Sequence, residues 1–192
     1  MSLVIVRQSA ECLAEYSQIP IGFTVAEVLD DAAIDAALHG AAFAAIPTAA
    51  PYWKDYDSYP GAHPTDWAER FDVAAWKFFT AFLNGQRAGG AALVPCGCAD
   101  LRRIGERADS ALLWDLRVAP ALRRRGVGAA LLEQVIREAR LGGATQLRVE
   151  TQQINVPACR LYAACGFRLA RVRRHAYPAL PSEVQLVWSK RL

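Results

Sequence analysis

The segment Arg123-Arg124-Arg125-Gly126-Val127-Gly128-Ala129 brings three guanidinium groups and two glycines to the start of an apolar repeat. The repeat is helical: Val127, Leu131, Val135 and Ala139 fall four apart, with Leu132 and Ile136 beside them. The first turn of a helix leaves backbone N–H groups without internal partners, at the positive end of the helix dipole. Gly126 and Gly128 carry no Cβ, so a ligand can approach the backbone closely. Such a turn either binds an anion, for which a pyrophosphate fits, or is a plain glycine turn with a solvated arginine cluster. The segment is neither a dinucleotide fingerprint, which needs a third glycine, nor a phosphate loop, which needs Gly-Lys-Ser/Thr.

A second group of residues follows at Asn155-Val-Pro-Ala158-Cys-Arg-Leu-Tyr162-Ala-Ala-Cys-Gly166-Phe167. Ala158 and Tyr162 are four apart and share a helix face. Asn155 suits the N-cap, and Pro157 is tolerated in the first turn. Small Ala158 leaves room for a ligand, and Tyr162 presents a phenol at the same place.

Elements must position these groups. Ile21 to Leu29 reads as a first strand, and Asp30 and Asp31 offer N-cap chemistry for a helix through about Ala42. Phe43 to Pro64, rich in Pro, Tyr and Asp, reads as a loop, with Thr65 capping a short helix from Asp66 to Phe71. Trp76 to Leu83 and Arg87 to Pro95 read as strands joined by Asn84-Gly85, a strong hairpin signal. A polar loop from Cys96 to Asp109 precedes a strand from Ala111 to Val118, closed by Pro120. The long helix starts at Gly126 and stops at Gly142-Gly143. Thr145 to Thr151 alternates like a strand, and Asn155 to Cys165 reads as a helix ended by Gly166. Phe167 to Arg173 and Val184 to Trp188 supply two last strands. This order implies one α/β domain over residues 1–192, with a mixed sheet and helices on both faces.

Composition narrows the class. At 192 residues and 53% hydrophobic, the chain can bury a sizeable core, and 21% charged residues is near the globular average. Met1 to Arg7 lacks the pattern of a signal peptide. Ala36 to Ala50 is interrupted by His39, Gly40 and Pro47, and is too short to span a bilayer. A soluble cytoplasmic protein without a membrane partner is expected. Five cysteines, an odd count, point to free thiols, and Cys96-Gly-Cys98 has the wrong spacing for a zinc half-site, so no metal is expected. His39, His63 and His175 are scattered and read as ordinary residues. The net charge of +3 hides an asymmetry. Residues 1–100 hold 5 Arg/Lys against 12 Asp/Glu, while residues 101–192 hold 17 against 7. That polarity is either two solvated surfaces or a basic side for an anionic cofactor and an acidic side for a cationic partner. No basic tail or aromatic-interleaved stripe points to nucleic acid.

Arg123-x-x-Gly126-x-Gly128 resembles the acetyl-CoA pyrophosphate loop of the GNAT superfamily of N-acetyltransferases, and Asn155 through Phe167 resembles that superfamily's second signature. The resemblance covers at least residues 110–192. Within it, Val149-Glu-Thr-Gln-Gln-Ile-Asn-Val-Pro-Ala-Cys is similar to the corresponding run of streptothricin acetyltransferases, as are Pro51-Tyr-Trp-Lys-Asp-Tyr-Asp, Tyr177-Pro and Pro181-Ser-Glu-Val. The resemblance implies the GNAT fold: a mixed, mostly antiparallel sheet of about seven strands flanked by helices and splayed between the fourth and fifth strands. It implies acetyl-CoA as donor, with the pantetheine arm pairing with backbone at Leu116, Arg117 and Val118. It places the diphosphate at Arg123, Arg124, Arg125, Gly126, Val127, Gly128 and Ala129, with Asn155, Ala158 and Tyr162 also at the cofactor. An amine attacks the thioester directly, a backbone N–H near Val118 stabilises the oxyanion, and Tyr162 protonates the leaving thiolate.

The base stays open among Asp115, Glu150 and a water chain. Streptothricin acetyltransferases resemble one another in a Glu-Asp pair where this chain reads Trp114-Asp115, and either carboxylate here is otherwise an ion-pair partner of an arginine. The acceptor site is expected from Tyr52, Trp53, Asp55, Tyr56, Asp57 and Trp114, since aromatic faces and carboxylates both suit a cation. The implied reaction is acetylation of a small cationic amine, with a streptothricin-like antibiotic as one acceptor and a possible homodimer as the assembly. Acetylation of a protein lysine or N-terminus, and a non-catalytic acyl-CoA sensor, remain the alternatives.

Overall fold

A computed structural model describes residues 2–103 and 106–192. In chain order the elements are β1 (Leu3–Gln8), α1 (Leu13–Tyr16), β2 (Phe23–Val28), α2 (Asp31–Leu38), β3 (Ile46–Lys54), β4 (Lys77–Leu83), β5 (Gln86–Val94) and α3 (Ala99–Arg103). They continue with β6 (Ser110–Val118), α4 (Val127–Leu141), β7 (Gln146–Gln152), α5 (Val156–Ala164), β8 (Arg168–Arg173) and β9 (Gln185–Arg191). A seven-stranded sheet has the order β1-β4-β5-β6-β7-β9-β8, and β2 pairs with β3 in a separate ribbon. The expected mixed architecture of about seven mostly antiparallel strands is the one that forms. Among the described residues no helix is long and apolar enough to cross a membrane.

The chain makes two compact units. The first takes the chain up to Phe23, Asp55–Leu147 and Leu192; the second takes Thr24–Lys54 and Arg148–Arg191. In the first, β1, β4, β5 and β6 pair antiparallel in turn. Asn84 (φ 49°) and Gly85 (φ 81°) close the β4–β5 hairpin with the left-handed pair that a two-residue turn requires. The buried stripe of α4 comprises Val127, Leu131, Leu132, Val135, Ile136 and Ala139. Gly89 lets that helix approach β5: a Cβ there would stand 3.1 Å from both Val127 and Leu131 and 2.7 Å from the Arg117 carbonyl oxygen. In the second unit β8 and β9 pair antiparallel. There α5 buries Val156, Cys159 and Tyr162.

Five expectations need correction. The first strand of the chain is β1, not the segment at Ile21 to Leu29, and α1 follows it. The helix from Asp31 stops at Leu38, where His39 and left-handed Gly40 (φ 80°) end it, although Asp30 caps it as expected by accepting from the Ala33 N–H at 2.8 Å. The stretch read as a loop from Phe43 holds β3, which contains Pro47 and Pro51. A strand paired on one side only leaves N–H positions outside the ladder, so proline is admissible there. Thr65 does not cap a helix from Asp66: a 3₁₀ turn spans Pro64–Glu69 with His63 at its N-cap. Proline suits the first helical position, and Thr65 instead bonds the His63 ring at 2.7 Å. The polar loop from Cys96 contains α3, and its residues 104 and 105 lie outside the described residues.

Candidate functional site

The glycine turn before α4 is built as an anion cradle. Gly126 is the N-cap, at φ 82°, and offers no side chain to accept from the helix. The first intrahelical bond runs from the Ala130 N–H to the Gly126 carbonyl at 3.0 Å, so the amides of Val127, Gly128 and Ala129 precede it. No acidic side chain lies in that first turn. Arg124 and Arg125 are exposed and, among the described residues, neither has a carboxylate partner.

Arg123 sits differently. Its Nε donates to the Val118 carbonyl at 2.9 Å, and its Nη2 donates to the Gly22 and Ile21 carbonyls at 2.8 and 3.3 Å. Burial presses its pKa below the usual guanidinium value. The group that sequence placed at the entrance thus braces the end of β6 against the 21–22 segment, and the free charge of the turn comes from Arg124 and Arg125.

Strand β6 carries Leu116 and Val118 half-buried, with Asp115 and Arg117 buried. The register slips between Ala92, which faces Asp115, and Leu93, which faces Leu113, leaving Trp114 as the extra residue of a bulge. Trp114 meets Phe71 edge-on at 4.8 Å and lies 5.1 Å from Trp76 and 6.2 Å from Trp67. The Trp76 indole N–H is satisfied by Asp100 at 2.9 Å.

Asp115 accepts from three donors. Arg117 reaches its two oxygens at 2.8 and 3.0 Å, and the Tyr16 hydroxyl donates to the same carboxylate. Arg117, 1% exposed, also donates to both oxygens of Asp57, at 2.8 and 3.1 Å, and to the Ile19 carbonyl at 3.1 Å. Burial opposes charge on Arg117, yet Asp115 first, with Tyr16 and Asp57, holds its pKa above the ordinary guanidinium value. Burial, then the Asp115 charge, pushes the Tyr16 phenol well above its usual value. Gly90 makes room for that phenol, because a Cβ there would stand 2.4 Å from the Tyr16 ring. Asp57, expected to face a cationic acceptor, is occupied by Arg117, and Asp55 accepts the Asp57 N–H at 3.1 Å as the cap of a 3₁₀ turn. Tyr56 packs between Phe23 and Tyr59, at 6.2 and 6.3 Å.

In the second unit, Asn155 caps α5, accepting the Ala158 N–H at 3.3 Å. Tyr162 is 5% exposed and packs on Phe167 at 5.9 Å and Trp188 at 6.5 Å. Tyr52 and Trp53 stand out on β3 at 46% and 59% exposure. Next to them Lys54 turns inward to a buried ion pair with Glu183, joining two segments 129 residues apart. Glu150, exposed on β7, accepts from the Tyr177 hydroxyl at 2.6 Å and from Gln185 Nε2 at 2.7 Å. A cavity of about 400 Å³ in this unit is lined by Phe43, Arg160, Phe167, Arg168 and Trp188, and by none of the residues expected to touch cofactor or acceptor. Tyr16, Phe71, Trp67 and Trp76 around β6, and Gln185 beside Glu150, were not singled out by sequence. Only their partners across the fold distinguish them from ordinary core residues.

A β-bulged strand runs into a glycine-capped helix, and a strand and an Asn-capped helix follow. The chain belongs to the acetyltransferase (GNAT) family, whose model matches residues 45–167. Among curated proteins it is 40% identical over 70 residues to the ribosomal protein bS18-alanine N-acetyltransferase of Escherichia coli, covering 36% of this chain and 47% of that one. It is 38% identical over 80 residues to streptothricin acetyltransferase A of Bacillus subtilis, covering 41% and 46%. These alignments span about half the length of those relatives. The streptothricin acetyltransferase of Streptomyces lavendulae aligns over 161 residues at 29% identity, covering 84% of this chain and 79% of that one. Two solved structures share the fold along the whole chain. A nourseothricin acetyltransferase has a TM-score of 0.73 at 22% identity, covering 100% of this chain and 99% of its own. A Bacillus anthracis protein in complex with acetyl coenzyme A has a TM-score of 0.74 at 23% identity, with the same coverage.

Proposed function

We propose that this protein carries an acetyl group from acetyl-CoA to the primary amine of a small cationic molecule, of which a streptothricin-like antibiotic is the leading candidate. The observation that carries the reading is the turn before α4: three amides ahead of the first helix bond, no first-turn carboxylate, and two arginines without acidic partners among the described residues. That donor set suits a diphosphate. Space supports it as well, since a Cβ at Gly126 would meet nothing within 4 Å.

Bound there, acetyl-CoA supplies an activated acyl thioester. Backbone at Leu116, Arg117 and Val118 orients the pantetheine arm, and the Arg117 network keeps that strand rigid from below. Asn155 and Ala158 shape the start of α5 for the donor. The amine loses a proton, its nitrogen bonds to the carbonyl carbon, and the carbon–sulfur bond breaks. Tyr162 supplies the proton that the departing sulfur takes and regains one from the amine nitrogen through solvent. Trp114, with Phe71 beside it, offers an aromatic face to a cationic acceptor.

The test is turnover of acetyl-CoA against a panel of streptothricin, aliphatic polyamines, aminoglycosides and peptides with free N-termini, with the acetylated product read by mass spectrometry. Small cationic amines should be acetylated in preference to the peptides. Preference for peptides would redirect the reading to protein acetylation, and tight CoA binding without any product would favour a sensor.

A further inference from the structure

We propose that Tyr177 and Gln185 are positioning residues that hold Glu150 as the carboxylate receiving the acceptor's ammonium, an assignment that rests on the acetyl-transfer reading above. Tyr177 donates to Oε1 of Glu150 at 2.6 Å, and Gln185 Nε2 donates to Oε2 at 2.7 Å. The proton directions follow from the partners. An ionised carboxylate only accepts, so Gln185 must turn its amide nitrogen to it. Gln152 Nε2 donates to the Tyr177 oxygen at 3.0 Å, which leaves the phenolic proton for Glu150. Burial first, then the Glu150 charge, raises the Tyr177 pKa above the usual tyrosine value, so the phenol keeps that proton.

The geometry fixes Glu150 and leaves it incomplete. Each oxygen has one neutral donor, the carboxylate retains further lone pairs, and the side chain is exposed. Among the described residues no Arg or Lys pairs with it, whereas Glu27, Asp57, Asp115 and Glu183 each have a cation. Gln185 is 8% exposed, and its Oε1 is buried without a donor. The amide therefore serves the carboxylate at the expense of its own second hydrogen bond. What a rigid, exposed, uncompensated carboxylate lacks is a cationic donor, and a primary ammonium is that group. Of the two carboxylates that sequence offered, Asp115 is buried and ion-paired with Arg117, and Glu150 is exposed with no cation among the described residues. The proton passes from the ammonium nitrogen to a Glu150 oxygen, leaving a neutral amine with its lone pair and a carboxylic acid, and the exposed acid returns the proton to water.

The experiment compares the wild-type chain with Glu150→Gln, Tyr177→Phe and the double variant, varying a primary alkylamine at saturating acetyl-CoA and then the reverse. Glu150→Gln is expected to lower kcat/KM for the amine about 100-fold. Tyr177→Phe is expected to lower it about 10-fold, with the KM for acetyl-CoA unchanged in both, and the double variant should be no slower than Glu150→Gln alone. Gln185→Leu, which removes the other donor, repeats the cycle independently. The assignment is overturned if Tyr177→Phe and Gln185→Leu produce their full loss in the Glu150→Gln background, or if Glu150→Gln turns over like the wild type. An inactive wild type fails the acetyl-transfer reading itself; an active wild type with an additive cycle fails this assignment alone.

Discussion

Gly126 and Gly143 stand at opposite ends of α4 in the same left-handed region, at φ 82° and 79°, and a Cβ at either would meet nothing within 4 Å. Alanine at either position therefore carries backbone strain without a clash, about 1–2 kcal/mol. For a chain of this size each kcal/mol lowers the melting temperature by about 2–4 °C, so both variants should melt about 2–8 °C below wild type. Their effects on the donor should differ. Only Gly126 borders the amides of residues 127–129, where a new Cβ would hold a diphosphate away from the backbone. A hydrogen bond to a charged group contributes about 1.5–3 kcal/mol, so losing one should raise the KM for acetyl-CoA roughly 10- to 150-fold in Gly126→Ala. Gly143→Ala should leave it within twofold of wild type, about the noise of the assay. Thermal melting and steady-state kinetics on the three proteins decide the matter. Equal losses of melting temperature with no change of KM in Gly126→Ala would refute the cradle.

Arg117→Met removes the cation shared by two carboxylates and is expected to destabilise the fold by about 3–5 kcal/mol, lowering the melting temperature by about 6–20 °C; a variant melting within 2 °C of wild type, about half a kcal/mol, would show the network to be dispensable. Tyr162→Phe is expected to lower kcat about 100-fold or more without raising the KM for acetyl-CoA, measured by CoA release; an unchanged kcat would remove it as the acid. Burial pushes the Cys159 thiol up to about 12 from an unfolded value of 9.0. A raised folded pKa gives stability that is complete below the unfolded value and lost as pH rises, so melting temperature should fall between about pH 9 and 12. Cys159→Ala should flatten that decline, and an identical alkaline slope in the variant would contradict the assignment.

Local chemistry was legible, and long-range pairing was not. The α4 stripe, the Asn84-Gly85 turn and the Asn155 cap depend on neighbours within a few residues, so spacing alone located them. β3 escaped because Pro47 and Pro51 argue against a strand until it is known to lie in a two-stranded ribbon. β1 reads Leu-Val-Ile-Val-Arg-Gln, a short apolar run without apolar–polar alternation, so its period marks no strand. Arg117 entered the sequence reading only through its backbone, at the pantetheine arm, and its side chain gave no signal. Its role comes from Tyr16 and Asp57, and the Tyr16 bond to Asp115 spans 99 positions. The same limit applied to Arg123, whose run of three arginines suggested one shared role until its carbonyl partners were located.

The most direct measurement is a crystal structure of the protein with coenzyme A. The diphosphate oxygens should lie within hydrogen-bond distance of the amides of Val127, Gly128 and Ala129, with Arg124 or Arg125 close by. Coenzyme A bound elsewhere, with those amides facing only water, would contradict the account.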